Sequence, residues 1–373
     1  MIVVLATLPV PLAQVLTAPQ LLPATCRVMY HSGSVEVDWL SDRRVASNRM
    51  VFCNLSTHHS MVTKARHWLA YTTAASAAAD GSSPPPEPEG EEQRAVLSRF
   101  VNDGRTEWIE PLSGMARHPF FHPWGGKCHF DKQVPKRGAT DTNYLLPANL
   151  CGAARPPRRS IFYDLGAGGP RVNVDAIWNR ETYSSIPYFV EAYRRRCVTF
   201  DDIFAWEAAT LDHPKWWSDV PLELRHKIRL YNTPVVEDVN GTASSATSAS
   251  STGQQNIGCG RLRCVFNTTA AGRREAGSFL SLLRATARPE DFVAIKVDID
   301  GGPELFIVNS INERPELREL VDEIFFEFHF WNHGVFDAIW SSRLTPAKDG
   351  TVLDALRLML SLRKRGIRSH FWI

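Results

Sequence analysis

Residues 160 to 169 read Ser160-Ile-Phe-Tyr-Asp-Leu-Gly-Ala-Gly-Gly169, an apolar run that stops at three glycines. This pattern is typical of a buried strand that enters a tight turn. Glycines allow a positive φ, and they let backbone N–H groups approach a ligand without a Cβ in the way. The turn from Asp164 to Gly169 therefore predicts the binding of a nucleoside-type ligand.

Strand-like and helix-like segments alternate through the rest of the chain. Further strands are predicted at residues 203–207, 227–232, 292–300, 323–329 and 367–373. Helices are predicted at residues 184–195, 276–285, 303–312, 315–321 and 353–364. Strands that alternate with helices favour parallel pairing with right-handed crossovers. We therefore predict an α/β fold with a doubly wound, mostly parallel sheet over residues 160–373.

The chain before residue 160 lacks this regularity. Residues 1–72 show short apolar runs without clear periodicity, and their role is unassigned, with partial disorder as one alternative. Residues 73–93 are small, polar, proline-rich and acidic, which predicts a linker. Residues 94–159 are rich in aromatic residues and proline and predict an irregular N-terminal cap. Within the α/β domain, the Ser/Thr-rich residues 241–256 predict a loop insertion.

Charge and hydropathy exclude several classes of partner. The chain has 42 Lys and Arg against 40 Asp and Glu, a formal charge of +2 at pH 7. No global field draws it to nucleic acid, and no nucleic-acid partner is expected. The apolar N-terminus is interrupted by four prolines within its first 25 residues. Because a membrane-spanning helix needs about 20 apolar residues, none is predicted there.

The seven cysteines form no CxxC pair, which disfavours a zinc site or a thioredoxin-like redox site. Buried, reduced cysteines are expected, and Cys259 with Cys264 is an alternative pair in an oxidising compartment. This cysteine usage favours the cytoplasm. The apolar N-terminus and three N-glycosylation sequons leave the secretory pathway open.

Polar residues collect where the predicted strands end. They are Asp164 to Gly169, Glu207, Asn232, Asp298 to Gly301, and Glu327 to His333. Ligands of open parallel sheets bind at this edge, near the point where the strand order reverses. The spacing departs from the dinucleotide fingerprint, because the turn reads G-x-G-G and Glu207 follows Asp164 by 43 residues. A NAD(P) dehydrogenase is therefore the weakest alternative.

Three of these segments resemble the class I S-adenosylmethionine-dependent methyltransferases, in particular the FkbM-type branch. They are Phe162-Tyr-Asp-Leu-Gly-Ala-Gly-Gly169, Trp206-Glu207 and Asp291-Phe-Val-Ala-Ile-Lys-Val-Asp-Ile-Asp-Gly-Gly-Pro-Glu304. The third is similar to that branch's strand motif of Lys, Asp and an acid-Gly followed two residues on by Glu. The resemblance covers residues 160–373 and implies a Rossmann-like methyltransferase fold.

The resemblance also implies roles for the residues at the strand ends. Gly166, Ala167 and Gly168, after Asp164, would face the methionine part of the cofactor S-adenosyl-L-methionine. Glu207 would bind its ribose, and Asn232 its adenine region. Asp298 would lie beside the methyl group and the acceptor. Asp300-Gly301 stands where the family has Glu-Gly, which keeps the charge but shortens the reach.

Methyl transfer to a hydroxyl oxygen also requires that its proton be removed or masked. The candidate catalytic residues are His329, Asp298 and Glu327, with His329 as the base. A structural hydrogen-bonded pair of Glu327 and His329 is the equal alternative. The expected acceptor is a small molecule or a glycan.

Two other functions compete with this reading of the strand ends. Asp298 and Asp300 could hold Mg²⁺ or Mn²⁺, and as a D-x-D pattern they would suit a nucleotide-sugar glycosyltransferase. That alternative leaves the glycine turn and Glu207 without a role. A non-catalytic scaffold that binds a partner through the aromatic residues 107–125 is the second alternative.

Overall fold

The computed structural model of the chain describes residues 28–41, 64, 67, 68, 70–75, 86–102, 105–112, 145–153, 156–168, 185–218, 220–235, 278–299, 303–328 and 352–372. These residues form a three-stranded antiparallel sheet and a six-stranded parallel sheet. None of the helices in these ranges combines the length and the apolar character that crossing a membrane requires.

The small sheet belongs to the N-terminal part of the chain. Its elements in chain order are β1 (Met29–His31), α1 (Ser34–Ser41), α2 (Gly90–Val96), β2 (Ser98–Asn102) and β3 (Arg105–Ile109). β2 is the central strand and pairs with both of the others. Within residues 73–93, Ala75 is buried in the main core, and α2 begins at Gly90.

The large sheet carries the rest of the described chain. Its elements are β4 (Ser160–Leu165), α3 (Ser185–Arg194), β5 (Asp202–Trp206), α4 (His213–Ser218), α5 (Leu222–Arg225), β6 (Ile228–Tyr231), α6 (Phe279–Thr286), β7 (Phe292–Val297), α7 (Glu304–Glu313), α8 (Pro315–Arg318), β8 (Glu323–Phe326), α9 (Val352–Lys364) and β9 (Arg368–Phe371). The strand order is β6-β5-β4-β7-β8-β9, and every pairing is parallel. The predicted α/β fold with a parallel sheet is confirmed.

Both faces of this sheet are buried under helices. Successive side chains of a strand point to opposite faces, so each strand contributes to two cores. In β4, Ile161 and Tyr163 join a core with α6, α7 and α9, whereas Phe162 joins a second core with α3 and α4. Each of the central strands β4 and β7 is buried along its whole length. This explains why both strands read as apolar runs in the sequence.

The N-terminal segments cover the β9 side of the sheet through buried ionic contacts. Arg363 of α9 pairs with Glu36 at 2.8 Å and with Glu110 at 3.3 Å, and it also donates to the carbonyl of Ser369. His370 of β9 lies between two carboxylates, since its ring nitrogens are 2.6 Å from Glu110 and 2.6 Å from Glu323. Residues without periodicity in the sequence are thus fixed by polar contacts to the far end of the chain.

The cysteines depart from the expectation that all are reduced. Cys151 and Cys197 form a disulfide that joins the segment before β4 to the end of α3. Cys197 has a φ of +59°, a left-handed conformation at a helix end where glycine is usual. The expectation was wrong for this pair, because partners 46 residues apart carry no signal in their spacing. Cys259 and Cys264 lie outside the described residues.

Candidate functional site

The strand order of the large sheet reverses between β4 and β7. The chain runs from β4 outward to β6, and then returns to place β7 on the other side of β4. The residues that follow β4, β5, β6, β7 and β8 therefore share one edge of the sheet. The predicted site residues at this edge are Asp164, Gly166, Ala167, Gly168, Glu207, Asn232, Asp298 and Glu327.

The turn after β4 is packed directly against the end of β7. Gly166 has a φ of +95°, and a Cβ built on it would lie 1.7 Å from the carbonyl oxygen of Asp298. Gly168 has a φ of +54°, but a Cβ there would meet nothing within 4 Å. Gly166 is required by the packing of the two strands, whereas none of the described residues lies close to the Cβ position of Gly168.

Glu207 is joined to this turn by backbone hydrogen bonds. The amide of Gly168 donates to one carboxylate oxygen of Glu207 at 2.7 Å, and the amide of Ala209 donates to the other at 2.7 Å. The side chain is only partly buried. The structure thus brings together the two features that the sequence placed 39 residues apart.

Asn232, at the end of β6, holds the loop that follows Glu207. Its amide nitrogen donates to the carbonyls of Glu207 at 2.7 Å and Ala209 at 2.6 Å. Its amide oxygen accepts from the backbone of Leu211 at 3.3 Å. These contacts use both amide protons of the side chain, so Asn232 positions the Glu207 loop.

A buried cation joins the ends of β4 and β7. The ammonium of Lys296, which is 2 % exposed, lies 2.8 Å from Asp298 and 3.4 Å from Asp164. It also donates to the carbonyl of Gly166 at 2.7 Å. The indole of Trp372, just after β9, donates to Asp298 at 3.2 Å. Lys296 thus fixes the glycine turn and both aspartates relative to one another.

The pKa values of Asp164 and Lys296 are shifted by burial and by the neighbouring charges. Burial raises the pKa of Asp164 above its ordinary value, and the neighbouring Asp298 adds to the rise, while Lys296 opposes it. Burial alone would lower the pKa of Lys296, but Asp298 and Asp164 outweigh it and raise that pKa. Lys296 therefore stays charged, with Asp298 as its nearest carboxylate.

Three carboxyl groups act on the ammonium of Lys296 at the strand ends. Glu327, just after β8, is near enough to act on the charge of Lys296, together with Asp298 and Asp164. Carboxylates at this edge of the sheet attract positive charge.

Some predicted residues lie outside the part of the chain that the structure describes. They are His329, the candidate base, Asp300, the candidate metal ligand, and His333. Within the described ranges, no group of three or more His, Cys, Asp or Glu side chains could hold a metal ion. Asp298 already pairs with the ammonium of Lys296 at 2.8 Å, which places a positive charge where a divalent cation would bind.

The sequence analysis gave Lys296 no role at the site, although Lys296 belongs to the third resembling segment, and it did not single out Trp372. Lys296 did carry a signal, because a lysine inside an otherwise apolar central strand must find buried acceptors. Trp372 gave none, since its partner Asp298 precedes it by 74 residues.

Comparison with known protein families, curated proteins and solved structures finds no match to this chain. The geometry and charges of the site therefore carry any functional conclusion.

Proposed function

We propose that the chain is an S-adenosylmethionine-dependent methyltransferase, with the doubly wound, Rossmann-like fold of that class. One observation carries the proposal: the turn that ends in Gly168 and the carboxylate of Glu207 meet at the point where the strand order reverses. Nucleoside cofactors of open α/β sheets bind at such a point. The resemblance of the three sequence motifs supports the same conclusion.

Glu207 is suited to bind the ribose of the cofactor. Two backbone amides donate to its two oxygens, which orients the carboxylate. Each carboxylate oxygen can accept more than one hydrogen bond, so both stay able to accept from ribose hydroxyls. Asn232 holds the loop on which Glu207 lies.

The cofactor supplies an electrophilic methyl group on a positively charged sulfur. The carboxylates of Asp298 and Glu327, which also act on Lys296, suit that charge. Asp298 is partly exposed, at 26 %, and lies at the edge where an acceptor would enter. Lys296 and Trp372 hold Asp298 in place through its Oδ2 atom.

The acceptor is proposed to be a hydroxyl group of a small molecule or a glycan. His329 is proposed as the base that removes its proton, two residues after Glu327. Replacement of His329 by Ala should leave cofactor binding intact and reduce turnover. Loss of folding in this variant would instead favour the structural pairing of Glu327 with His329.

Isothermal titration with S-adenosylmethionine and S-adenosylhomocysteine tests the proposal. Both should bind, and Glu207→Ala should weaken binding by about 1–3 kcal/mol, because charge-assisted hydrogen bonds are lost. Glu223→Ala is the matched control, since Glu223 is an exposed acid in α5 away from the turn. Its affinity should equal that of the native protein.

Parallel titrations with UDP-sugars plus Mn²⁺ and with NAD distinguish the alternatives. No heat with either methionine derivative would overturn the proposal. Binding of a UDP-sugar with Mn²⁺ would instead support the glycosyltransferase alternative.

A further inference from the structure

A large cavity lies at the end of the sheet opposite to the strand-end site. Its volume is about 900 Å³, and it opens between the β2–β3 hairpin and residues 146–153. Arg368, the first residue of β9, and Arg196, which follows α3, form part of its wall. Both positions belong to the amino end of the parallel strands, so the cavity is separate from the proposed cofactor site.

The described wall of this cavity is strongly basic. Among the described residues, five arginines and two glutamates line it, and the arginines are Arg94, Arg99, Arg105, Arg196 and Arg368. Arg368 pairs with Glu107 at 3.2 Å and Glu323 at 3.5 Å. In the part of the chain that the structure describes, no carboxylate lies within 4 Å of any of the other four. The described lining therefore carries more positive than negative charge.

Arg196 is the most informative of these side chains. It is only 6 % exposed, yet its one hydrogen bond within the described residues runs from Nη1 to the carbonyl of Ala192 at 2.7 Å. A guanidinium has five N–H donors. No nitrogen of Arg196 is buried without a hydrogen-bond partner, so the donors that do not bind Ala192 are accessible from the cavity. Burial lowers the pKa of Arg196. An anion in the cavity would supply the acceptors that the described protein does not.

The β2–β3 hairpin places an aromatic ring, that of Trp108, in the wall of the same cavity. Arg99 and Trp108 lie directly opposite each other in the strand register, and the guanidinium of Arg99 is 5.8 Å from the centre of the Trp108 ring. The indole nitrogen donates to Glu87 at 3.1 Å, which fixes the orientation of the ring. The hairpin thus offers an aromatic surface with a cation beside it, a combination suited to a ring that carries anionic groups.

We propose that this cavity binds a small ligand that carries two or more phosphate or sulfate groups. Guanidinium groups match tetrahedral oxyanions through paired N–H donors. Four arginines without carboxylate partners among the described residues exceed what a single anion needs. A volume of about 900 Å³ holds a ligand the size of a substituted ring or a short saccharide. The proposal does not depend on the methyltransferase activity, because the two sites lie at opposite ends of the sheet.

Equilibrium binding to the full chain tests this proposal with two compact probes. Inositol hexakisphosphate carries only phosphate groups, and sucrose octasulfate carries only sulfate groups. At least one should bind, and raising the salt concentration should weaken it, because salt screens the attraction. The preferred probe identifies the oxyanion. Sucrose, which is neutral, should not bind.

Charge-removing variants locate the binding in the cavity. Arg105→Gln changes an exposed side chain and should weaken binding of the preferred probe about threefold to tenfold. Arg99→Gln should weaken binding by a similar factor. Arg196→Gln should have a larger effect if the variant folds. The matched control is Arg284→Gln, an exposed arginine of α6 that pairs with Glu316. Absence of binding by both probes, or equal affinity in the Arg105, Arg99 and Arg284 variants, would overturn the proposal.

Discussion

Replacement of Gly166 by alanine is the most direct test of how β4 and β7 fit together. The new Cβ would lie 1.7 Å from the carbonyl oxygen of Asp298 and 2.8 Å from its carbon. The carbonyl would have to retreat by roughly 1.3 Å to reach even 3.0 Å, the closest approach that real Cβ atoms tolerate. That movement disrupts the hydrogen bond from the Asp298 amide to Leu165, now 3.0 Å long, and shifts the partner of Lys296.

The size of the effect follows from three contributions. A non-glycine residue at positive φ costs about 1–2 kcal/mol. Loss of one backbone hydrogen bond costs about 0.5–1.5 kcal/mol, and the strain of overpacking about 1–3 kcal/mol. We expect Gly166→Ala to lower the free energy of unfolding by about 2.5–6.5 kcal/mol. The measurement is urea-induced unfolding followed by far-UV circular dichroism at pH 7.

Gly168→Ala is the matched control, because it has the same positive sign of φ but open space around the new Cβ. It should lower stability by only about 1–2 kcal/mol. If the proposed function holds, it should also weaken binding of S-adenosylhomocysteine. A Gly166 variant that costs no more stability than the Gly168 variant would refute the close approach of the two strands.

Two further predictions concern buried charges. Asp298→Asn removes the nearest partner of buried Lys296 and should lower the free energy of unfolding by about 2–3 kcal/mol. Asp164→Asn should lower it by less, because Asp164 lies farther from Lys296, at 3.4 Å, and burial disfavours its charged form and raises its pKa. Equal losses in the two variants by urea unfolding would contradict this. Burial lowers the pKa of His370, but its two flanking carboxylates outweigh this and raise that pKa above 6.5. The stabilisation by its charged form is therefore complete below pH 6.5 and is lost as the pH rises through the raised value. Unfolding measured from pH 6 upward should show a decline that His370→Gln lacks, and equal slopes in the two proteins would exclude the charged pairing.

The sequence predicted the large sheet well because its strands are buried on both faces. A strand that is buried on both faces reads as a continuous apolar run, as Phe292 to Val297 does, so it can be predicted without knowing which face each side chain points to. The ends of the strands were less certain. β7 ends at Val297 and β8 at Phe326, whereas residues 300 and 329 were predicted, because alternating apolar residues continue beyond the last paired position in both segments.

The N-terminal segments could not be predicted for a different reason. β1 has only three residues, and α1 packs through a polar group, Glu36, whose partner Arg363 lies 327 positions away. Periodicity detects apolar faces and carries no information about buried ion pairs. The disulfide of Cys151 with Cys197 is likewise a product of the tertiary fold.

At the candidate site, the sequence located the residues but not the contacts between them. Asp164, Glu207 and Asp298 follow from the position of the strand ends. That Asn232 holds the Glu207 loop follows only from the structure.

The placement of Lys296 bears on whether the strand ends serve a ligand. A buried ion pair is often no more stabilising than apolar residues of similar volume, because both charges must leave water. Lys296 and Asp164 nevertheless lie fully inside the junction of the two central strands, beside the glycine turn. A chain selected for stability alone would gain from apolar side chains at these positions. These polar groups have a purpose if the junction must hold Asp298 and the turn in fixed positions for a ligand.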